Sequence, residues 1–290
     1  GVPYEYGTHI PRCRQGTSRG PDAVRAVPTY TYFDPYTDEP TAGWYDVADE
    51  TEYLKDVTMA DCGDVTFLPG EGGKGMDGGP NIQRITDVVK RIAARDALVV
   101  AIGGDHSMSF PVGRGMERYE SVDVVHFDAH SDYADVSPDG GRFTHGNNLR
   151  RLSELPFVRN LAMIGITSIS KQDHQDARDR GVNVVPAEKF LANGAAATVD
   201  RAIRPAKHIY VSIDIDILDQ SLVPGTTAPE PTGIPYRLLR DALAEVCKKG
   251  RIVGFDIVEL SPSFDFGGGT ARQTSWILTH FLSAITASQK

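Results

Sequence analysis

At 290 residues the chain can bury one large α/β core or two small ones, and 40% hydrophobic with 24% charged residues is ordinary for a globular protein. A formal charge of −9 and a pI of 5.4, with no basic run, exclude a nucleic-acid footprint and mildly favour a cationic small substrate. No apolar run reaches transmembrane length, and no signal peptide is visible. Cys13, Cys62 and Cys247 are too few and too scattered for a disulfide framework or a CxxC pair, so a reducing, cytoplasmic compartment is expected. Gly1-Val-Pro3 reads as the end of a strand, with residues expected upstream.

The stretch Gly70 to Gly79 is glycine-rich but lacks Walker spacing, and Lys74 is followed by Gly75, so a flexible surface loop is expected. From Pro80 onward helix and strand alternate. Ile82, Ile85, Val88, Val89 and Ile92 predict a helix over 80–95, and 97–102 is a compact apolar strand. Strands follow at 121–127, around 160–166, at 182–185, at 208–216 and at 251–259. Helices are expected near 171–180, 187–203, 235–248 and 270–288. Strands apolar almost throughout predict a mostly parallel sheet covered by helices on both faces. No repeat or linker divides the chain, so a single domain over 1–290 is expected. Ligands in such folds gather at the carboxyl ends of strands, where every candidate motif here falls.

Asp128-Ala-His-Ser-Asp132 continues the strand 121–127. Residues two apart on extended backbone point the same way, so Asp128, His130 and Asp132 are expected to face one small volume. Ionisable groups gathered there repel and desolvate one another unless a cation holds them. Asp214-Ile-Asp216 repeats the pattern at the end of 208–216, where buried acids need compensation. Gly103-Gly-Asp-His106 ends the strand 97–102, with two glycines that let backbone approach a ligand. Taken singly, each has a plainer reading: a hydrogen-bonded histidine, a solvated turn, a strand emerging into water. Together they supply two His and four Asp, enough for two divalent cations sharing carboxylates. His145, in the polar loop Gly140 to Asn148, is a candidate proton shuttle or an exposed loop histidine. Glu259 is a candidate anchor for a cationic substrate group or a hydrogen-bonded loop anchor. Asp256 reads as structural and His126 as a satisfied core histidine. His9, His174, His208 and His280 read as structural or surface residues.

Gly103–Ser107, Asp128–Asp132, Thr144-His-Gly146, Ser212–Asp216 and Asp256–Pro262, in this order, resemble the ureohydrolase family of arginases and agmatinases, on its agmatinase-like branch. The resemblance implies a three-layer α/β/α fold and a binuclear centre, with manganese as the expected ion and nickel, cobalt or iron as substitutes. His106, Asp128, Asp132 and Asp214 would bind one ion, and Asp128, His130, Asp214 and Asp216 the other. A hydroxide between them would attack a guanidinium carbon, oriented by Asp132. Glu259 would anchor the guanidinium, and His145 would pass a proton to the leaving amine, giving urea. The family also implies a homo-oligomer, trimer or hexamer. A non-catalytic partner subunit of a hetero-oligomer and a one-zinc deacetylase-like amidohydrolase are the alternatives.

The sequence departs from the family at Gln220, at Pro224–Pro229 and at Asn147-Asn148. None of these is expected to touch a metal ligand, and all are expected to border the substrate pocket. Agmatine, guanidino acids, alkylguanidines and biguanides all fit the resemblance. Arg142 is a candidate for a substrate carboxylate or a solvated loop residue.

Overall fold

A computed structural model describes residues 1–8, 13–27, 43–55, 57–68, 79–137 and 141–288. His9, Gly140 and the glycine-rich stretch 70–78 lie outside the described residues. A short helix α1 (Gly20–Arg25) precedes an antiparallel hairpin of β1 (Trp44–Asp46) and β2 (Thr51–Tyr53). The alternating part then runs α2 (Gly79–Ala93), β3 (Val99–Ile102), α3 (Ser109–Arg114), β4 (Val122–Phe127), α4 (Asn148–Ser153), β5 (Val158–Ile166), α5 (Lys171–Asp179) and β6 (Asn183–Pro186). It closes with α6 (Ala187–Ala202), β7 (His208–Asp214), α7 (Tyr236–Cys247), β8 (Arg251–Val258) and α8 (Gly269–Ser288). The hairpin and the six-residue helices α1, α3 and α4 were not expected, because elements so short carry no apolar period.

Strands β3 to β8 form one parallel sheet in the order β3-β8-β7-β4-β5-β6. Alternate side chains feed opposite faces. Val125, Phe127, Val211 and Phe255 pack with Phe190 of α6, Leu243 of α7 and Phe281 of α8. Val124, Tyr210 and Met163 pack on the other side with Ile85 of α2, Val112 of α3 and Leu149 of α4. The result is the expected three-layer α/β/α arrangement. Each such buried side chain contributes about 1.5–3 kcal/mol, which leaves the sheet stiff enough to carry charged groups at its end. Among the described residues no helix is long and apolar enough to cross a membrane.

Strand order places the site. From β4 the chain moves outward through β5 and β6, whereas from β7 it moves the opposite way to β8. A crevice therefore opens at the carboxyl ends of β4 and β7. Phe127 pairs with Ile213, and Ile257 pairs with both Ile213 and Ile102. Residues leaving β3, β8, β7 and β4 thus emerge at one level from four adjacent strands.

Three local expectations need correction. β7 stops at Asp214, because Asp214 Oδ1 accepts the N–H of Asp216 at 2.8 Å and turns Ile215–Ile217 into a 3-10 helix. Asp128 Oδ1 likewise accepts the N–H of His130 at 2.5 Å. Both motifs are Asx turns, so their side chains converge through a turn and not along extended backbone. Gly104 admits protein and not a ligand, since a Cβ there would lie 1.8 Å from the carbonyl oxygen of Tyr4. Residues 1–8 cross the end of β3, anchored by Val2 N–H on the Ile102 oxygen at 2.8 Å.

Candidate metal centre

His106 enters the crevice on a tight turn that Asp105 caps by accepting the N–H of Ser107 at 3.0 Å. The other Asp105 oxygen accepts the N–H groups of Gly7 and Thr8 at 2.8 and 2.9 Å, tying the N-terminal segment to this corner. His106 Nδ1 lies 3.1 Å from Oδ2 of Asp128, of Asp132 and of Asp214. One imidazole nitrogen thus meets three carboxylates delivered by two chain segments. Beside it, His130 Nδ1 lies 3.0 Å from Asp216 Oδ2 and 3.6 Å from Asp128 Oδ1. All six residues expected to bind metal are therefore gathered in one place.

The electrostatics are those of buried acids crowded against imidazoles. Asp128, Asp214 and Asp216 are buried. Burial and the neighbouring Asp216 and Asp128 push the Asp214 carboxyl well above the ordinary range. Burial pushes Asp216 up to about 6, against the pull of His130. The imidazoles respond in kind. Burial works against a charged His106, but its hydrogen bonds to Asp128, Asp132 and Asp214 raise it well above its usual value. Asp128 Oδ2, fully buried, faces the imidazole nitrogens of His106 and His126 at 3.1 and 2.9 Å. Oxygen and imidazole donors of this kind suit hard or borderline divalent ions. Two triads, His106–His126–Asp128 and Asp128–His130–Asp216, each bring three donor atoms within 4.8 Å of one another.

Glu259 borders the same cluster. It sits just past β8 with φ 67°, a left-handed conformation costing a non-glycine residue roughly 1–2 kcal/mol. Its Oε1 accepts the N–H of His106 at 2.7 Å, and Oε2 accepts the hydroxyl of Thr227. His145 Nδ1 stands 3.5 Å from Oε1. Burial disfavours charge on both partners. Their mutual attraction wins, lowering Glu259 and raising His145 to about 9. His145 and Glu259 are therefore a buried ion pair beside the carboxylate cluster.

Behind these residues stands a layer only partly read from sequence. His106 Nε2 meets Ser212 Oγ at 2.9 Å, and Ser212 donates to Asp256 Oδ1 at 2.9 Å, which gives Asp256 its structural role. His126 is more than a satisfied core residue. Its Nε2 lies 2.9 Å from Asp128 Oδ2 and its ring stacks on His106 at 5.0 Å. Its shared strand parity with Asp128 was the available signal. Asn148 corrects the expectation that family departures avoid the ligands, for its Nδ2 donates to Asp132 Oδ2 at 2.6 Å. Thr227 and Glu230, from the divergent loop after β7, reach Glu259 and His130. Arg142 is engaged elsewhere, 3.1 Å from both Asp135 and Glu154, so it is not held ready for a substrate carboxylate.

The sequence matches the Arginase family over residues 1–284. It is 34% identical to a guanidinopropionase from Pseudomonas aeruginosa over 238 residues, 80% of this chain and 73% of that protein. It is 33% identical to proclavaminate amidinohydrolase from Streptomyces clavuligerus over 280 residues, 93% of this chain and 82% of that protein. The solved structure of the Streptomyces clavuligerus proclavaminate amidino hydrolase superposes with a TM-score of 0.81 at 28% identity, covering 99% of this chain and 91% of that one. The agmatine ureohydrolase of Thermoplasma volcanium gives 0.78 at 26% identity, with 99% and 88% covered.

Proposed function

The chain belongs to the arginase family, and from that premise we propose that it hydrolyses a guanidino compound, cleaving a C–N bond to give urea and an amine. The observation that carries this reading is the convergence of two imidazole nitrogens on four carboxylates at adjacent strand ends. In it, His106, Asp128, Asp132 and Asp214 would hold one divalent cation, and Asp128, His130, Asp214 and Asp216 would hold a second. Manganese is the expected ion. When bound, the pair supplies a water acidic enough to act as a nucleophile near neutral pH.

The protein's own residues do the rest. Asp132 accepts a hydrogen bond from the attacking water and orients it, while Asn148 holds the carboxylate in place. Glu259 is an ionised, buried carboxylate whose present cationic partner is His145. An arriving guanidinium takes over that role, with Thr227 fixing the second oxygen. His145, displaced from Glu259 but still within the pocket, passes a proton to the departing nitrogen.

The named relatives act on guanidino or amidino compounds with different tails, so the test is a panel. Purified protein loaded with Mn²⁺, Ni²⁺ or Co²⁺ is offered agmatine, guanidino acids, alkylguanidines and biguanides, and urea is measured. Metal-dependent urea from at least one class is expected. Silence across the panel from protein carrying both ions would reject the catalytic reading in favour of a non-catalytic subunit.

A further inference from the structure

We propose that Glu230 is the carboxylate that fixes His130 with Nδ1 toward the centre, and that it thereby sets the affinity of the second cation site. The inference rests on the two-ion reading above. The two nitrogens of His130 face different groups. Nδ1 looks into the cluster, 3.0 Å from Asp216 Oδ2, whereas Nε2 lies 3.2 Å from Glu230 Oε1. A histidine that binds a cation through Nδ1 is neutral and carries its proton on Nε2. Glu230 is placed to accept that proton.

The other imidazole has no such need. His106 is buried, packed on His126, and its Nε2 meets the neutral Ser212 hydroxyl. His130 is 27% exposed, so packing alone does not hold its ring. The backbone around Glu230 supplies the missing constraint. Pro229 and Pro231 flank it, each with a fixed φ, and its carbonyl oxygen accepts the N–H of Gln220 at 3.1 Å. A partly exposed side chain is thus delivered from restrained backbone to one imidazole nitrogen. A carboxylate hydrogen-bonded to a ligating histidine fixes its tautomer and raises its basicity. Losing one typically weakens metal binding about 10–100-fold.

The test uses chelator-stripped wild type, Glu230→Ala and Glu230→Gln. Each is titrated with Co²⁺, following the visible ligand-field bands and competition with a chelator, with metal counted per chain. Glu230→Gln keeps an oxygen able to accept from Nε2 and removes the charge. Expected are two ions in the wild type, an unchanged first site in Glu230→Ala, and a second site weakened about 10–100-fold, with Glu230→Gln recovering most of the loss. Thermal midpoints of the metal-free proteins are expected to agree, which separates the effect from misfolding. A second site within threefold of wild type in Glu230→Ala would overturn the proposal. Equal losses in Ala and Gln would also overturn it, by tracing the effect to charge and not to position. A wild type that takes up only one ion would instead overturn the two-ion reading itself.

Discussion

Replacing Asp216 by Asn should stabilise the protein without metal and weaken it with metal. Burial holds the Asp216 carboxyl at about 6 in the metal-free fold, with His130 pulling it down and Asp128 pushing it up. An unhindered aspartate titrates near 3.9, and each unit is worth about 1.4 kcal/mol, so Asp216 opposes folding by up to about 3 kcal/mol above pH 6. The sign follows from proton occupancy. An acid raised in the fold keeps its proton where the unfolded chain has lost it, so the penalty grows from about pH 4 to pH 6 and is constant above. Asparagine keeps the shape and can still accept the N–H of Ala129, which Asp216 Oδ1 receives at 3.3 Å. It gives up the attraction to His130, so 3 kcal/mol is a ceiling. Urea unfolding with chelator at pH 7.5 should therefore show Asp216→Asn as the more stable protein, with the difference vanishing by pH 4. Added Mn²⁺ should reverse the order, because wild type gains more by mass action than a variant short of one ligand. A variant less stable than wild type in chelator at pH 7.5 would refute the reasoning, as would equal stabilisation of both by Mn²⁺.

The ion pair of His145 and Glu259 gives a different pH signature. His145 is raised by Glu259 to about 9 against burial, so its contribution is complete below the unfolded value near 6.5 and is lost as pH rises through 9. In metal-free protein, the stability gap between wild type and His145→Gln should be largest near pH 6 and close above pH 9, as read by urea titration. In turnover, His145→Gln should lower kcat about 10²–10⁴-fold with a smaller change in KM, measured by urea release. Glu259→Gln should raise KM and lower kcat together and should bring the His145 titration down, visible by histidine NMR. Asn148→Ala removes the 2.6 Å hydrogen bond to Asp132 and should lower kcat more than it changes metal count. Equal loss of both would place Asn148 among the ligand supports instead.

Apolar strands and convergent charges were legible in the sequence because each leaves a local mark. The run at 121–127 and the acids that follow it predicted both β4 and a strand end where carboxylates and imidazoles gather. The sequence leaves unmarked whatever depends on a distant partner. Glu230 and Thr227 sit in a loop whose own pattern says only turn, and their roles come from His130, 100 residues away, and Glu259, 32 residues away. Asp128 and Asp214 close Asx turns that bring the right groups together by a route other than the extended backbone first expected. Arg142 looked available only because Asp135 and Glu154 approach it in space.

We propose that two divalent ions bind between the ends of β3, β4 and β7. Anomalous diffraction from crystals grown with Mn²⁺ tests it most directly. Two peaks are predicted, one against His106 and Asp132, the other against His130 and Asp216, with Asp128 and Asp214 touching both. A single peak, or none at the His130 end, would contradict the account.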